Sequence, residues 1–240
     1  MKSTSLYAFR RGLLGGLPIA LGYLSVSFGF GITAAREGLG ILASILISFT
    51  NLTSAGQVAG LAIITAGGTL WEMAATQFVI NIRYFLMSLS LSQRLAPGFS
   101  LGHRALAAFG ITDEIFGVAS SEREEITPLY MYGLILLPLL GWTLGTMLGA
   151  VAGSLLPESI KNALGIAIYG MFVAIVVPPA KRERGVLLGV GIAVGIRCLI
   201  AYLPLLSTVS PGFAIIIAAV AAAAVAAALF PIRDREEESL

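Results

Sequence analysis

Residues 70–91, LWEMAATQFVINIRYFLMSLSL, are long enough to cross a bilayer and yet carry Glu72, Gln77, Asn81 and Arg83. On a helical wheel, Gln77, Asn81, Tyr84 and Ser88 fall at i, i+4, i+7 and i+11 and form one stripe. Glu72, Thr76, Arg83 and Ser90 form a second stripe, roughly 120° around the helix. The remaining arc is Phe78, Val79, Ile82, Phe85, Leu86 and Leu89, all apolar. An arginine at the middle of a membrane helix costs about 2.5–3.5 kcal/mol on insertion scales, so Arg83 must face protein or water. The wheel predicts a spanning helix with one face on lipid and the other on something polar.

Composition places that helix in a membrane. Of 240 residues, 57% are hydrophobic and 12% are charged, whereas a soluble domain carries about 25% charged residues. The mean hydropathy is +0.92. Stretches 12–34, 41–66, 70–91, 127–153, 159–178, 185–206 and 212–230 are long and nearly free of charge. A span needs about 20 mostly apolar residues. Residues 1–240 therefore read as a single integral membrane domain of the all-α, polytopic class. Seven or eight transmembrane helices are expected, some of them discontinuous.

The same numbers exclude several functions. A net charge of +2 without a dense basic run gives nucleic-acid binding no support. The single cysteine, Cys198, lies inside a span, so neither a disulfide nor a cysteine metal site can form within one chain. His103 is the only histidine, which excludes a histidine-rich metal site. No G-x-x-x-x-G-K-[ST] run exists, so nucleotide hydrolysis by this chain does not drive transport. Asp113 and Asp234 are the only aspartates, which excludes a two-aspartate protease. The chain does not read as an enzyme, and no catalytic residue, metal or cofactor is expected.

Orientation follows from lysine and arginine in short loops. Lys2, Arg10 and Arg11 place the N-terminus in the cytoplasm, and Lys181, Arg182 and Arg184 place the 179–185 loop there too. The C-terminus, after two more spans, is then also cytoplasmic, as is the loop at 121–126. Two arrangements of the first half satisfy this. In one, 41–66, 70–91 and 101–120 all cross, leaving Arg94 and Arg104 outside. In the other, 41–66 and 101–120 are both re-entrant, which brings those arginines inside.

Gly141, Gly145, Gly149 and Gly153 form a small-residue ridge of the kind that lets helix backbones approach closely in lipid. Gly185/Gly189 and Gly191/Gly195 do the same in a later span. Packing within the chain is the favoured reading, and a homo-oligomer face is the alternative. Pro18, Gly22-Tyr23 and Gly29 resemble Pro138, Gly141-Trp142 and Gly149, with a one-residue drift in spacing. This similarity suggests two repeat halves, 10–125 and 126–230, as many transporters have.

The 49–57 segment holds Thr50, Asn51, Thr53, Ser54 and Gln57 at membrane depth. These polar groups either hydrogen-bond to neighbouring helices or mark a helix broken near Gly56, whose exposed backbone ends meet a substrate. Asn51, Ser54, Gln57, Gln77, Asn81 and Tyr84 are the candidate substrate-binding residues. The Arg83 fork suits a substrate carboxylate and equally a structural pair with Glu72, Asp113 or Glu114; the pair is favoured. Asp113 and Glu114 are adjacent carboxylates in an otherwise apolar segment. Such a group can carry a proton during transport, or it can neutralise Arg83 or the equally deep Arg197.

Pro18 with Gly22-Tyr23 and Phe28-Gly29-Phe30-Gly31, Ser54-Ala55-Gly56-Gln57, Asn81-Ile82-Arg83-Tyr84 and Thr112-Asp113-Glu114 occur in an order that resembles the AzlC family. That family comprises the large subunits of bacterial branched-chain amino acid exporters. The likeness runs over roughly residues 8–205. It differs at Tyr84, where the family usually has histidine, so a proton-carrying role at that position does not transfer. The resemblance implies proton-motive export of leucine, isoleucine or valine across the inner membrane, with a small membrane subunit of the AzlD type. Rival readings are a passive pore for small polar solutes and a membrane scaffold subunit.

Overall fold

The structure, a computed structural model, describes residues 2–157, 159, 170, 173, 176–203, 206 and 208–230. The named elements among them are all helices: α1 (Lys2–Arg36), α2 (Ile41–Thr50), α3 (Ser54–Thr65), α4 (Leu70–Ser92), α5 (Leu101–Phe109), α6 (Asp113–Ser120), α7 (Pro128–Leu155), α8 (Arg184–Tyr202) and α9 (Pro211–Leu229). Residues 176–182 are helical as well. Against the seven or eight crossings expected, α1, α7, α8 and α9 are the four helices among the described residues that are long and apolar enough to cross a membrane. The expected span at 159–178 lies mostly outside the described residues, and the acidic tail at 234–238 wholly so.

The chain divides into two compact units, Met1–Val58 with Ile80–Tyr169 and Ala59–Val79 with Gly170–Leu240, and the boundary runs through α3 and α4. In the first unit, α1 and α7 lie side by side. Gly133 meets Phe9, Gly141 meets Ala20, Gly145 meets Leu24, Gly149 meets Phe28 and Gly153 meets Ala35. These contacts advance together along both helices, so the pair runs parallel. A methyl group on Gly141, Gly145 or Gly149 would overlap the carbonyl oxygen of its α1 neighbour, so only glycine permits this approach. The expected ridge is thus occupied by α1 of the same chain. The two segments of similar sequence, around Pro18 and Pro138, are neighbours in space.

The 41–66 stretch is two helices. Asn51, at the end of α2, is extended at φ −146° and ψ 101°. Thr53 Oγ1 then accepts from the Gly56 N–H at 3.2 Å and caps α3. Asn, Thr and Ser side chains compete for backbone amides, which suits this segment to ending one helix and starting another. Ser48 and Gln57 would stand about 13.5 Å apart along a straight helix, yet Gln57 Nε2 donates to Ser48 Oγ at 2.8 Å. The chain therefore bends back. The break falls at 51–53, slightly before the expected Gly56.

The 101–120 stretch is also broken. Thr112 Oγ1 accepts from the Ile115 N–H at 3.4 Å to start α6, and Asp113 and Glu114 occupy the first turn, where negative charge complements the helix dipole. Arg94 donates to the carbonyls of Ser120 and, at 2.6 Å, Glu122. The Ala96 N–H donates to the Ile126 carbonyl at 3.0 Å. Glu122 in turn pairs with Arg11 of α1 at 3.3 Å. Residues 94–96, residues 120–126 and the N-terminal part of α1 therefore share one end of the unit, and α5–α6 leaves and returns at that end. Phe99, Ala107, Ile111, Ile115 and Ala119 of this hairpin bury against Tyr130, Met131, Leu134 and Ile135 of α7.

In the second unit, α8 packs on α9, and a methyl group on Gly189 would stand 3.7 Å from the Ala226 methyl, an ordinary contact. A methyl group on Gly191 or Gly195 would meet nothing within 4 Å among the described residues. Arg197 is exposed on α8 and makes no ion pair among the described residues.

Candidate functional site

α4 carries most of its expected faces, but Val79 of the apolar arc is half-buried and Ser90 of the second stripe is exposed. Phe78, Ile82, Phe85, Leu86 and Leu89 are exposed, and Gln77, Asn81, Arg83, Tyr84 and Ser88 are half-buried. Within the first unit, Asn81 Oδ1 accepts from the Thr53 hydroxyl at 2.8 Å, where α3 begins. Arg83 pairs with Asp113 at 2.8 Å, where α6 begins. Two α4 residues thus hold the starts of two broken helices. They point about 200° apart, which is why each reaches a different one. Tyr84 lies against the same guanidinium: Arg83 donates to its hydroxyl at 3.2 Å, and the guanidinium carbon stands 4.9 Å from its ring centre. Of the three acids expected as partners, Arg83 pairs with Asp113.

Tyr23 of α1 and Trp142 of α7 brace the same two starts from the other side. Their rings meet edge to face at 5.0 Å. The Tyr23 hydroxyl lies 2.6 Å from Thr112 Oγ1 and 2.6 Å from Glu114 Oε2. The Trp142 indole N–H donates to Gln57 Oε1 at 2.8 Å. Gln57 Nε2 passes on to Ser48, whose hydroxyl bonds Thr146 of α7 at 2.7 Å. This chain of polar groups is buried, and each of its links is made, as a low-dielectric interior requires.

The structure sorts the expected site residues. Asn51 and Ser54 are half-buried at the first break, beside Thr53 and Asn81. Gln57 is fully buried with both ends of its amide engaged. Gln77 belongs to the second unit, where its Nε2 sits 3.8 Å from Met73 Sδ and close to Gly60. Arg83, Asp113, Glu114 and Tyr84 gather at the second break. Tyr23, Ser48, Thr112, Trp142 and Thr146 join the network without having been singled out as site residues. Tyr23 and Trp142 carried a signal, since they are matching points of the two similar segments. Ser48 and Thr146 carried none.

The two helix starts differ electrically. The first turn of α3 has no acidic residue, whereas that of α6 holds Asp113 and Glu114. Free amides at a helix N-terminus attract an anion, and carboxylates suit an ammonium group. At the unit's charged end, Arg11 pairs with Glu122 and Glu124. Burial works to raise the Glu122 carboxyl. The N–H groups of Glu124 and Arg123 and the Arg11 guanidinium outweigh that and hold it below its ordinary value of 4.5. Among the described residues, no group of three His, Cys, Asp or Glu is placed to hold a metal ion.

Comparison with known proteins places this arrangement. The family model described as AzlC protein matches residues 18–156. The chain is 30% identical over 183 residues to the inner membrane protein YgaZ of Escherichia coli (strain K12), covering 73% of this chain and 75% of the relative. It is also 30% identical over 180 residues to an uncharacterized membrane protein of Archaeoglobus fulgidus, covering 73% of this chain and 78% of the relative. A membrane protein of Helicobacter pylori (strain J99) is 22% identical over 195 residues, covering 79% and 84%. No solved structure matches. The chain belongs to the AzlC family of membrane proteins.

Proposed function

We propose that the protein is a secondary transporter that exports branched-chain and other hydrophobic amino acids, such as leucine, isoleucine and valine, across the bacterial inner membrane. The observation that carries this reading is the pair of interrupted helices whose starts are held by Asn81 and Arg83, from two different stripes of α4. A zwitterion offers a carboxylate and an ammonium group. The acid-free start of α3, with Asn51, Ser54 and Asn81 around it, suits the carboxylate. Asp113 and Glu114 suit the ammonium group. Interrupted helices are a recurring way to hold such a molecule at membrane depth. The apolar surroundings suit its side chain.

The membrane arrangement we favour has the N-terminus and the 121–126 loop in the cytoplasm. The contacts of Arg94 with Ser120 and Glu122, and of Glu122 with Arg11, support the version in which 101–120 enters and leaves on that side. By continuity of the chain, 41–66 then enters and leaves on the outer side. With the stretch 159–178 kept as a span on its sequence alone, the count becomes six with α1, α4, α7, α8 and α9, below the seven or eight expected, and the C-terminus is cytoplasmic. Residues 1–240 act as one transporter domain, which works with a small AzlD-type membrane subunit and is driven by the proton-motive force. The test is counterflow of labelled leucine into liposomes that contain the purified chain, with and without that subunit. Uptake against unlabelled leucine inside is expected. Its absence in both preparations would remove the reading.

A further inference from the structure

We infer that Glu72 is a proton-binding site that couples export to the proton gradient. The inference rests on the exporter reading and on the orientation above, which puts the start of α4 at the outer face. Glu72 is buried, 3% exposed, and no cation among the described residues of its unit lies against it. Its carboxylate instead accepts from the Gly212 N–H at 2.8 Å and from the Ser210 hydroxyl, at the start of α9. A helix N-terminus stabilises the ionised form there.

A second polar group is aimed at the same place. Thr76, one turn further along α4, is 0% exposed, and its hydroxyl has no hydrogen-bond partner among the described residues. A methyl group on Gly212 would stand 2.6 Å from Glu72 Oε1 and 2.7 Å from Thr76 Oγ1, so the carboxylate and the hydroxyl border one point. The ionised carboxylate can only accept, and α9 supplies its donors. One proton from water on the outer side converts it to the neutral acid, which gains an O–H to donate. The Thr76 oxygen is the buried acceptor beside it. As placed, Thr76 Oγ1 makes no hydrogen bond to the ionised carboxylate. Rotation of the protonated carboxyl toward it gives the neutral acid its acceptor, so each charge state has a group to bond, which a group that loads and unloads a proton requires.

Among the described residues, nothing else that titrates faces Glu72. Ser210, Gly212 and Phe213 border it at the start of α9, Gly68 and Thr69 in the turn before α4, and Thr76 on α4. Further along the same stripe of α4 stands Arg83, paired with Asp113.

The alternative is a staple that only fastens α9 to α4, and Glu72→Gln separates the two. It keeps a carbonyl oxygen for Ser210 and Gly212 but cannot take a proton. Leucine exchange at equal pH and leucine flux driven by a pH gradient are measured on the full chain in liposomes. Glu72→Gln is expected to keep exchange at the wild-type rate and to lose the gradient-driven flux, with Glu72→Asp recovering part of it. A gradient response equal to wild type overturns the inference. Loss of exchange together with the gradient response does so too, since that is the staple. Failure of the exporter reading shows separately, as no leucine exchange in the wild type. Infrared difference spectra then decide alone. A protonated-carboxyl band that appears on acidification in the wild type and is missing in Glu72→Gln supports the site, and no such difference overturns it.

Discussion

Tyr23 and Trp142 meet edge to face at 5.0 Å across two parallel helices, and each then reaches a different interrupted helix. Tyr23 ends at Thr112 and Glu114, and Trp142 ends at Gln57. The glycine contacts between α1 and α7 make this possible, because the backbones touch and the two rings have to share the space between them. Neither aromatic residue needs to touch a substrate to shape the place where one would bind.

Trp142→Phe keeps the ring contact and removes the donor to Gln57. Gln57 Oε1 is then buried and unpartnered, which costs about 1–3 kcal/mol. A drop of that size in unfolding free energy in detergent is expected. Adding Gln57→Leu to Trp142→Phe should recover part of the loss, because the orphaned acceptor is gone. Additive losses would show that the bond carries no such weight.

Gly149→Ala tests the α1–α7 contact. Helix propensity alone favours alanine by about 1 kcal/mol. The added methyl would overlap the Phe28 carbonyl, however, and backbone cannot move as a side chain can. Overpacking of this kind costs about 1–3 kcal/mol, so the variant is expected to be less stable than wild type in thermal unfolding. A more stable variant would refute the close parallel pairing.

Arg83→Gln asks whether the ion pair with Asp113 serves stability or transport. The two side chains are 43% and 41% exposed, so solvent screening limits the pair to about 0–1 kcal/mol. Unfolding should shift little while leucine flux falls. A large loss of stability with proportionate loss of flux would make the pair purely structural.

Glu122 makes the charged end of the first unit sensitive to acid. Its folded value lies below its unfolded one, so its stabilisation is fully present above about pH 4.5 and is lost as pH falls through the folded value. Wild type should lose more stability than Glu122→Gln between neutral pH and pH 4. Equal losses would mean that folding does not lower the Glu122 carboxyl.

Much of this was legible in residue order. The exposed apolar face and most of the two polar stripes of α4 follow from spacing alone, and Arg83 has one of the acids expected for it. The first break was readable because Asn51, Thr53 and Ser54 are residues that cap helices. The second was readable only as the alternative in which 101–120 enters and leaves one side, since Gly110 and Thr112 are two small signals inside an apolar run. Gln57 shows the limit most clearly. Its position marks it as polar at depth, but its engagement with Trp142, 85 residues away, is a matter of tertiary packing that no local pattern records. For the same reason Ser48 and Thr146 looked like ordinary span residues.

On the exporter reading, an amino acid is held where Asn81 meets the start of α3. Leucine counterflow by Asn81→Leu, set beside wild type in the same liposomes, tests it most directly. The expected result is a folded, monodisperse protein with no leucine flux. Wild-type flux from that variant would contradict it.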